Sequence, residues 1–434
     1  MPFRLSNPIL LITAAICLGW SSSCERKKPP PPPPAVVPPK LAPLGSAPDW
    51  SRLEPFQRTI TREEFQRRLD SVYALPGASI TTLFVEEDRV KIRRQSTLPM
   101  LEAAGMLELH FGNAPVPTQR FWRKRDELPP PTDASLPLQG VRIALDPGHI
   151  GGSWATIEER NFIPETGPPV QEGGLSLTTA RVLRIMLESM GAEVVMVRDK
   201  LEPVTLLRPA NLLPQAREEL QTMGIDPDHP PDNAPINTVR WQSEKLFYRN
   251  AEIRARAERV NHSLHPDLVI CLHFNAAGSW GRPGAPLYSE ENHLHLLVNG
   301  AYNLEEMLLD DQRLEMLLRL LSGVHEEEIA LAEKVATALA TATGLPPFTY
   351  HASALPVPGN PYVWSRNLLA NRLYACPVVY CEPYIMNNLE VCARLQEGDY
   401  EGERLIGGRM VRSIFREYAQ GVAEGLRMYF SERK

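Results

Sequence analysis

Asp267-Leu-Val-Ile-Cys-Leu-His273-Phe-Asn275 is the most telling stretch of this 434-residue chain. Its unbroken apolar run, Leu268–Leu272, is bounded by Pro266-Asp267 in front and by polar His273 and Asn275 behind. Such a run reads as a strand buried on both faces, the mark of a parallel sheet covered by helices. Short apolar runs recur at Val141–Leu145, Val194–Val197 and Pro377–Cys381. Helical periodicity lies between them. Leu175, Val182, Met186 and Met190 mark one helix, closed by Gly191. Ile253, Ala257, Val260 and Leu264 mark another that ends before Pro266, and Glu326–Thr343 is stopped by Gly344 and Pro346. Residues from about 403 to 430 read as a closing helix. Alternating strands and helices predict an α/β fold over residues 140–434: a mostly parallel twisted sheet with helices on both faces.

Toward the N-terminus the pattern changes. Residues 50–128 read as a small α+β accessory module, with a helix near Thr61–Tyr73 and strands at Ser79–Phe84, Arg89–Arg94 and Met106–Phe111. It holds no cluster of catalytic residue types. Residues 129–139, opening with Pro129-Pro130-Pro131, are a linker. In front of all this, residues 1–23 have the order of a secretory signal: Arg4, the apolar run Pro8–Leu18, then Ser21–Ser23. Cys24 follows, in the position of a bacterial lipoprotein's lipidated cysteine. Residues 24–49 form a proline-rich linker, and the ten prolines between positions 29 and 48 suit a semi-rigid tether. The expectation is an exported, lipid-anchored protein on the periplasmic side of the envelope, at the outer rather than the inner membrane.

Composition narrows the function classes. A net charge of −6 gives no basic footprint for nucleic acid. Past residue 20 no apolar stretch reaches the ~18 residues that would span a bilayer. Six cysteines in this length are too few for a disulfide framework. Cys271 and Cys381 lie in apolar runs and read as buried hydrophobes, whereas a Cys376–Cys392 bridge is open in an oxidising compartment.

The chemistry is expected where the strands end, because ligands of an open parallel sheet bind outside the strands' carboxyl ends. His149 follows Asp146-Pro-Gly, His273 follows Leu268–Leu272, Glu382 follows Pro377–Cys381, and Glu172 stands at a helix start. A catalytic zinc takes three nitrogen or oxygen protein ligands and keeps one position open. Two histidines and two carboxylates make that set with one carboxylate to spare. Other readings are weaker. His325-Glu-Glu-Glu-Ile329 lacks the second histidine of an H-E-x-x-H site. His293 and His295 are expected on a solvated strand face, and Glu158 and Glu159 lie in a polar loop without a helix start. No G-x-S-x-G, Walker or dinucleotide motif occurs.

Asp146-Pro-Gly-His149, Gln171-Glu172-Gly173, Arg256-x4-Asn261, Asp267 to Asn275, and Val379-Tyr-Cys-Glu382 with Asn388 follow in one order along the chain. This order resembles the zinc-dependent N-acetylmuramoyl-L-alanine amidases of the cell-division and sporulation type. The resemblance implies His149, Glu172 and His273 as ligands of one Zn2+ ion and Glu382 as the catalytic carboxylate. Asp146, at the bend that aims His149, and Asn275, Arg366 and Asn388 are expected to support the site or touch substrate. It further implies peptidoglycan as substrate, cut between N-acetylmuramic acid and L-alanine, and a protein activator as a further partner. A zinc peptidase or deacetylase on another envelope substrate, and a wall-binding protein without activity, are the competing readings.

The apolar insertion from Tyr302 to His325 stands where several cell-division amidases carry an inhibitory helix. It is expected either to cover the cleft, with one of Glu305, Glu306, Asp310 or Asp311 reaching the metal, or to pack its leucines on the sheet.

Overall fold

Along the computed structural model, which describes residues 38–97, 105–229, 238–278 and 287–433, the chain first builds a small antiparallel sheet. A short helix, α1 (Arg62–Arg68), starts where the Thr61 hydroxyl accepts the Glu64 N–H at 3.2 Å. The strands β1 (Leu83–Val85), β2 (Arg89–Arg93) and β3 (Met106–His110) follow in order. The expected signal peptide, Cys24 and the linker up to residue 37 lie outside the described residues.

The main sheet has seven strands. Five of them are β4 (Arg142–Pro147), β5 (Glu193–Met196), β6 (Leu268–Leu272), β7 (Leu294–Val298) and the two-residue β8 (Leu355–Pro356). The others are β9 (Val363–Ser365) and β10 (Val378–Pro383). Their spatial order is β8-β9-β7-β10-β6-β4-β5. The strands β10, β6, β4 and β5 run parallel, while β7 runs antiparallel to β10. The fold is thus α/β with a mostly parallel sheet. Helices α2 (Glu172–Ser189), α3 (Val324–Thr343) and α4 (Ile414–Phe430) cover one face, burying Leu183, Leu187, Val335, Leu339, Val422 and Leu426 against Ile143, Ile270 and Val379. The opposite face carries Ala144, Val269, Cys271 and Tyr380 under Ala257, Val260 and Ala370. Every residue of β6 is buried, as its unbroken apolar run requires.

Three expectations need correction. The segment 403–412 is a β-hairpin, Glu403–Ile406 paired with Arg409–Arg412, and only Ile414–Phe430 is helical. Gly407 and Gly408, at φ 57° and 80°, make the tight turn that a helix would not tolerate. His293 and His295 are buried among aromatic rings, 8% and 1% exposed, instead of facing water. The insertion's helix, Asp310–Ser322, packs Leu314, Leu317 and Leu320 against Leu53, Phe65, Leu69 and Tyr73 of the N-terminal module. Its partner is that module's apolar face, which a three-stranded sheet and a two-turn helix cannot cover by themselves.

The four cysteines after Cys24 are free and buried. Cys392 lies in the core of one sheet face and Cys376 in that of the other. No helix among the described residues is long and apolar enough to cross a membrane.

Candidate metal centre

The loop after β4 is folded by close backbone approach. A Cβ on Gly148 would stand 2.3 Å from the His273 ring, and one on Gly173 would stand 2.3 Å from the Gly151 nitrogen. Only glycines let the His149 loop, the start of α2 and the end of β6 come this near one another. His149 itself holds a left-handed backbone, φ 55°. Buried polar side chains pin that conformation. Arg256 donates to Asp146 Oδ1 at 2.9 Å and to the carbonyls of Pro147 and His149 at 2.8 Å each. Ser176 donates to Gly148 O at 2.7 Å, and Arg198 reaches Gly173 O at 3.0 Å. Burial beside Arg256 lowers the Arg198 guanidinium to about 9.

His149, Glu172 and His273 then meet. One ligand atom from each lies within 4.8 Å of the others. Glu172 Oε2 is 3.1 Å from His149 Nε2, and its Oε1 is 3.0 Å from His273 Nδ1. The Phe274 N–H donates to Oε1 at 3.2 Å, and Arg160 Nε lies 3.1 Å from Oε2. Burial would raise the Glu172 carboxyl, but the two imidazoles outweigh it and hold it well below the usual carboxylate range. Burial would likewise lower His149, yet Glu172 and Glu158 push it up to about 9. The His273 ring stacks on Tyr380, centroids 4.9 Å apart.

Glu382, near the end of β10, faces the same cleft of about 290 Å³, which His149, Glu158, Arg160, Tyr248 and Leu369 also line. Burial holds its carboxyl above the ordinary value, with the His273 imidazole opposing. A larger groove of about 470 Å³ beside the start of α2 contains none of these four donors.

Of the remaining predicted residues, Asn275, Arg366 and Asn388 sit further out. Asp146 is buried at the floor of the cleft, its carboxylate held by Arg256 and by the Tyr374 hydroxyl at 2.5 Å. Asn275 joins the segment after β10 through backbone hydrogen bonds, donating to Tyr384 O and accepting from Met386 N. Asn388 caps the helix Leu389–Gln396, accepting from Glu390 N and Val391 N, and so is a structural residue outside the cleft. Arg366 donates to the Tyr350 hydroxyl at 3.3 Å.

Glu158 is the residue that sequence reasoning undervalued. It is 2% exposed, accepts the Ile150 and Gly151 N–H groups at 2.9 Å, and lies 3.5 Å from His149 Nδ1. It therefore orients the imidazole from behind while Nε2 faces Glu172, an arrangement typical of metal-ligating histidines. The available signal was a second acidic pair in the His149 loop, which only folding turns inward.

Two imidazoles and one carboxylate, ligand atoms converging, fit a zinc ion with an open position. The charge of the site agrees: Glu158, Glu172 and Glu382 surround the two imidazoles, and Arg160 lies against Glu172.

No family model matches the chain, and no curated protein matches it. Among solved structures it is similar to the N-acetylmuramyl-L-alanine amidase Ami1 of Mycobacterium abscessus, at 18% identity over 67% of this chain and 99% of that one, TM-score 0.36. It is also similar to the amidase CwlD of Clostridioides difficile in complex with the GerS lipoprotein, at 14% identity over 67% and 99%, TM-score 0.38. A third is the catalytic domain of the amidase CwlV of Bacillus (Paenibacillus) polymyxa var. colistinus, at 15% identity over 67% and 97%, TM-score 0.35.

Proposed function

We propose that the chain is a zinc-dependent hydrolase that cuts the amide between N-acetylmuramic acid and L-alanine in peptidoglycan, for wall remodelling or daughter-cell separation. The observation that carries this reading is the convergence of His149, Glu172 and His273 on one point, with Glu382 lining the same cleft. These residues stand in the motif order that resembles the amidases.

Each side chain has a task. When bound, zinc polarises the amide carbonyl and brings the pKa of an attacking water to about 7. Glu158 fixes the His149 ring, so that Nε2 stays aimed into the cleft. The Phe274 N–H and the two imidazoles keep the Glu172 carboxylate ionised. Glu382 takes the proton of the attacking water and passes it to the departing amine nitrogen. A carboxyl raised by burial holds a proton more readily than an exposed one, as a group that must carry a proton between two partners requires. Cys24 carries the lipid, and the enzyme works tethered on the periplasmic face of the outer membrane.

The test is zinc content together with the fragments released from purified peptidoglycan. The expected result is bound zinc and stem peptides with a free N-terminal alanine. Release from within the stem, or amino sugars stripped of acetyl groups, would instead identify a peptidase or a deacetylase. Binding to the wall with no fragment released would leave only a wall-binding protein.

A further inference from the structure

We propose that Arg366 and Tyr350, braced by His295, form a subsite beside Glu382 for a free carboxylate of the substrate's peptide stem. This rests on the amidase reading and names the part of the substrate that the neighbouring wall of the cleft recognises.

The antiparallel pairing of β7 with β10 sets His295 directly opposite Glu382, so both side chains leave the same face of the sheet. Residues 346–348 then run alongside Leu294, with Leu294 N donating to Pro346 O at 2.9 Å and Phe348 N to Leu294 O at 3.0 Å. That pairing carries Tyr350 over His295, its hydroxyl 2.9 Å from Nε2 and its ring edge-on at 5.3 Å. Burial pushes the His295 imidazole down to about 3, so the ring is neutral and Nε2 is able to accept the hydroxyl proton. The Tyr350 oxygen in turn accepts from Arg366 Nη1 at 3.3 Å, and the guanidinium lies 5.3 Å from the Tyr350 ring centroid. A buried imidazole thus orients a hydroxyl, and the hydroxyl and ring orient a cation.

That cation lacks an anion. Arg256 and Arg372 bind carboxylates at 2.9 Å and 2.6 Å, but among the described residues Arg366 pairs with none. It is half-buried, and among the described residues it uses only Nη1 in a side-chain hydrogen bond. A guanidinium has five donors in a planar fork that matches a carboxylate. Leu368 and Leu369, just beyond it in sequence, line the cleft, and the charge of Glu382 reaches the Tyr350 hydroxyl. In the proposed reaction Glu382 hands its proton to the departing amine. The flank of Glu382 is therefore where the leaving group lies, and that leaving group is a peptide bearing free carboxylates.

The experiment uses the zinc-loaded protein and two synthetic muramoyl peptides that differ only in a stem carboxylate or its carboxamide. Calorimetric binding of the matching free stem peptides is measured beside turnover. The wild type is expected to favour the carboxylate by on the order of ten- to a hundredfold in KM and Kd, the range of a charge-assisted hydrogen bond. Arg366→Gln should close that gap through KM, Arg366→Lys should restore part of it, and Tyr350→Phe should narrow it. Zinc content and melting temperature monitor folding in each variant. Equal preference in the wild type, or equal losses on both peptides in Arg366→Gln, would overturn the subsite. Hydrolysis of neither peptide, with carboxylate-selective binding that depends on Arg366, would refute the amidase reading and leave the subsite standing.

Discussion

Glu382 lines the cleft and Glu172 lies against the two histidines that share it, and their surroundings drive these carboxylates apart. Two imidazoles hold Glu172 ionised, whereas burial lifts Glu382. Such a split separates a ligand from an acid/base. Glu382→Gln is accordingly expected to leave zinc content intact while turnover falls about 10²-fold or more. His149→Ala and His273→Ala should instead lose metal, and elemental analysis beside turnover distinguishes the two outcomes. Glu158→Gln provides a finer check, because it keeps the shape behind His149 but removes the charge. Its zinc affinity should fall about 10- to 100-fold in a chelator competition, with the fold unchanged by circular dichroism. These residues were unequally legible. His149, His273 and Glu382 follow apolar strands, and a parallel sheet delivers such positions to one rim. Glu158 lies in a loop whose path depends on glycine contacts between 148, 151 and 173, and nothing periodic marks it. The pairing of Tyr350 with His295 escaped the sequence for a related reason. Their meeting depends on residues 346–348 pairing beside Leu294, and its place opposite Glu382 on β7 running against β10, neither of which apolar runs encode.

The helix Asp310–Ser322 shows how an element can be visible in sequence while its partner is not. Its leucines mark it as apolar, but the surface they cover, Phe65, Leu69 and Tyr73, lies far upstream in the chain. The acidic residues at its start are also committed elsewhere. Asp310 accepts Lys40 N at 3.0 Å and Ser96 N at 2.9 Å, and Asp311 accepts Ala42 N at 3.0 Å. Neither carboxylate lines the cleft, so the helix reads as core and not as an inhibitor. Leu317→Ala, at a fully buried position, should cost about 2–5 kcal/mol in chemical denaturation. Replacing 303–322 by a Gly/Ser linker should lower the melting temperature and leave turnover flat or reduced. A well-folded deletion with raised turnover would restore the inhibitory idea. The hairpin at 403–412 is the opposite case. Its Gly407-Gly408 pair was visible in the sequence, but a helical reading ran across it, and local turn chemistry overrode the extrapolated helix.

At the scale of the whole molecule, the proposed anchor and the cleft meet the chain at different places. The first described residues of the proline-rich linker are tied chiefly to the insertion's helix, and Leu44 also packs on the apolar cluster of Ile150 and Tyr248. Lys40 N donates to Asp310 and Lys40 O accepts from Asp310 N at 2.7 Å, while Ala42 is buried beside Asp311. This strap fastens the tether to the helix that completes the N-terminal module. Lys40 and Ala42 are thus joined to the core around Leu317 and Phe65, whereas the backbone of the His149 loop is hydrogen-bonded by Arg256 and Ser176, with Arg198 on the neighbouring Gly173. It follows that removing the anchor should change where the protein is without changing what it does. Cys24→Ala is expected to move the protein from the membrane to the soluble periplasmic fraction, measured by fractionation and blotting. The purified variant should retain the zinc content and turnover of the detergent-extracted wild type. A Cys24→Ala protein that still sediments with membranes would remove lipidation at Cys24 as the means of attachment. A released protein with lost turnover would show that the anchor also acts on the cleft, with Leu44 against the Ile150 cluster as the contact between them.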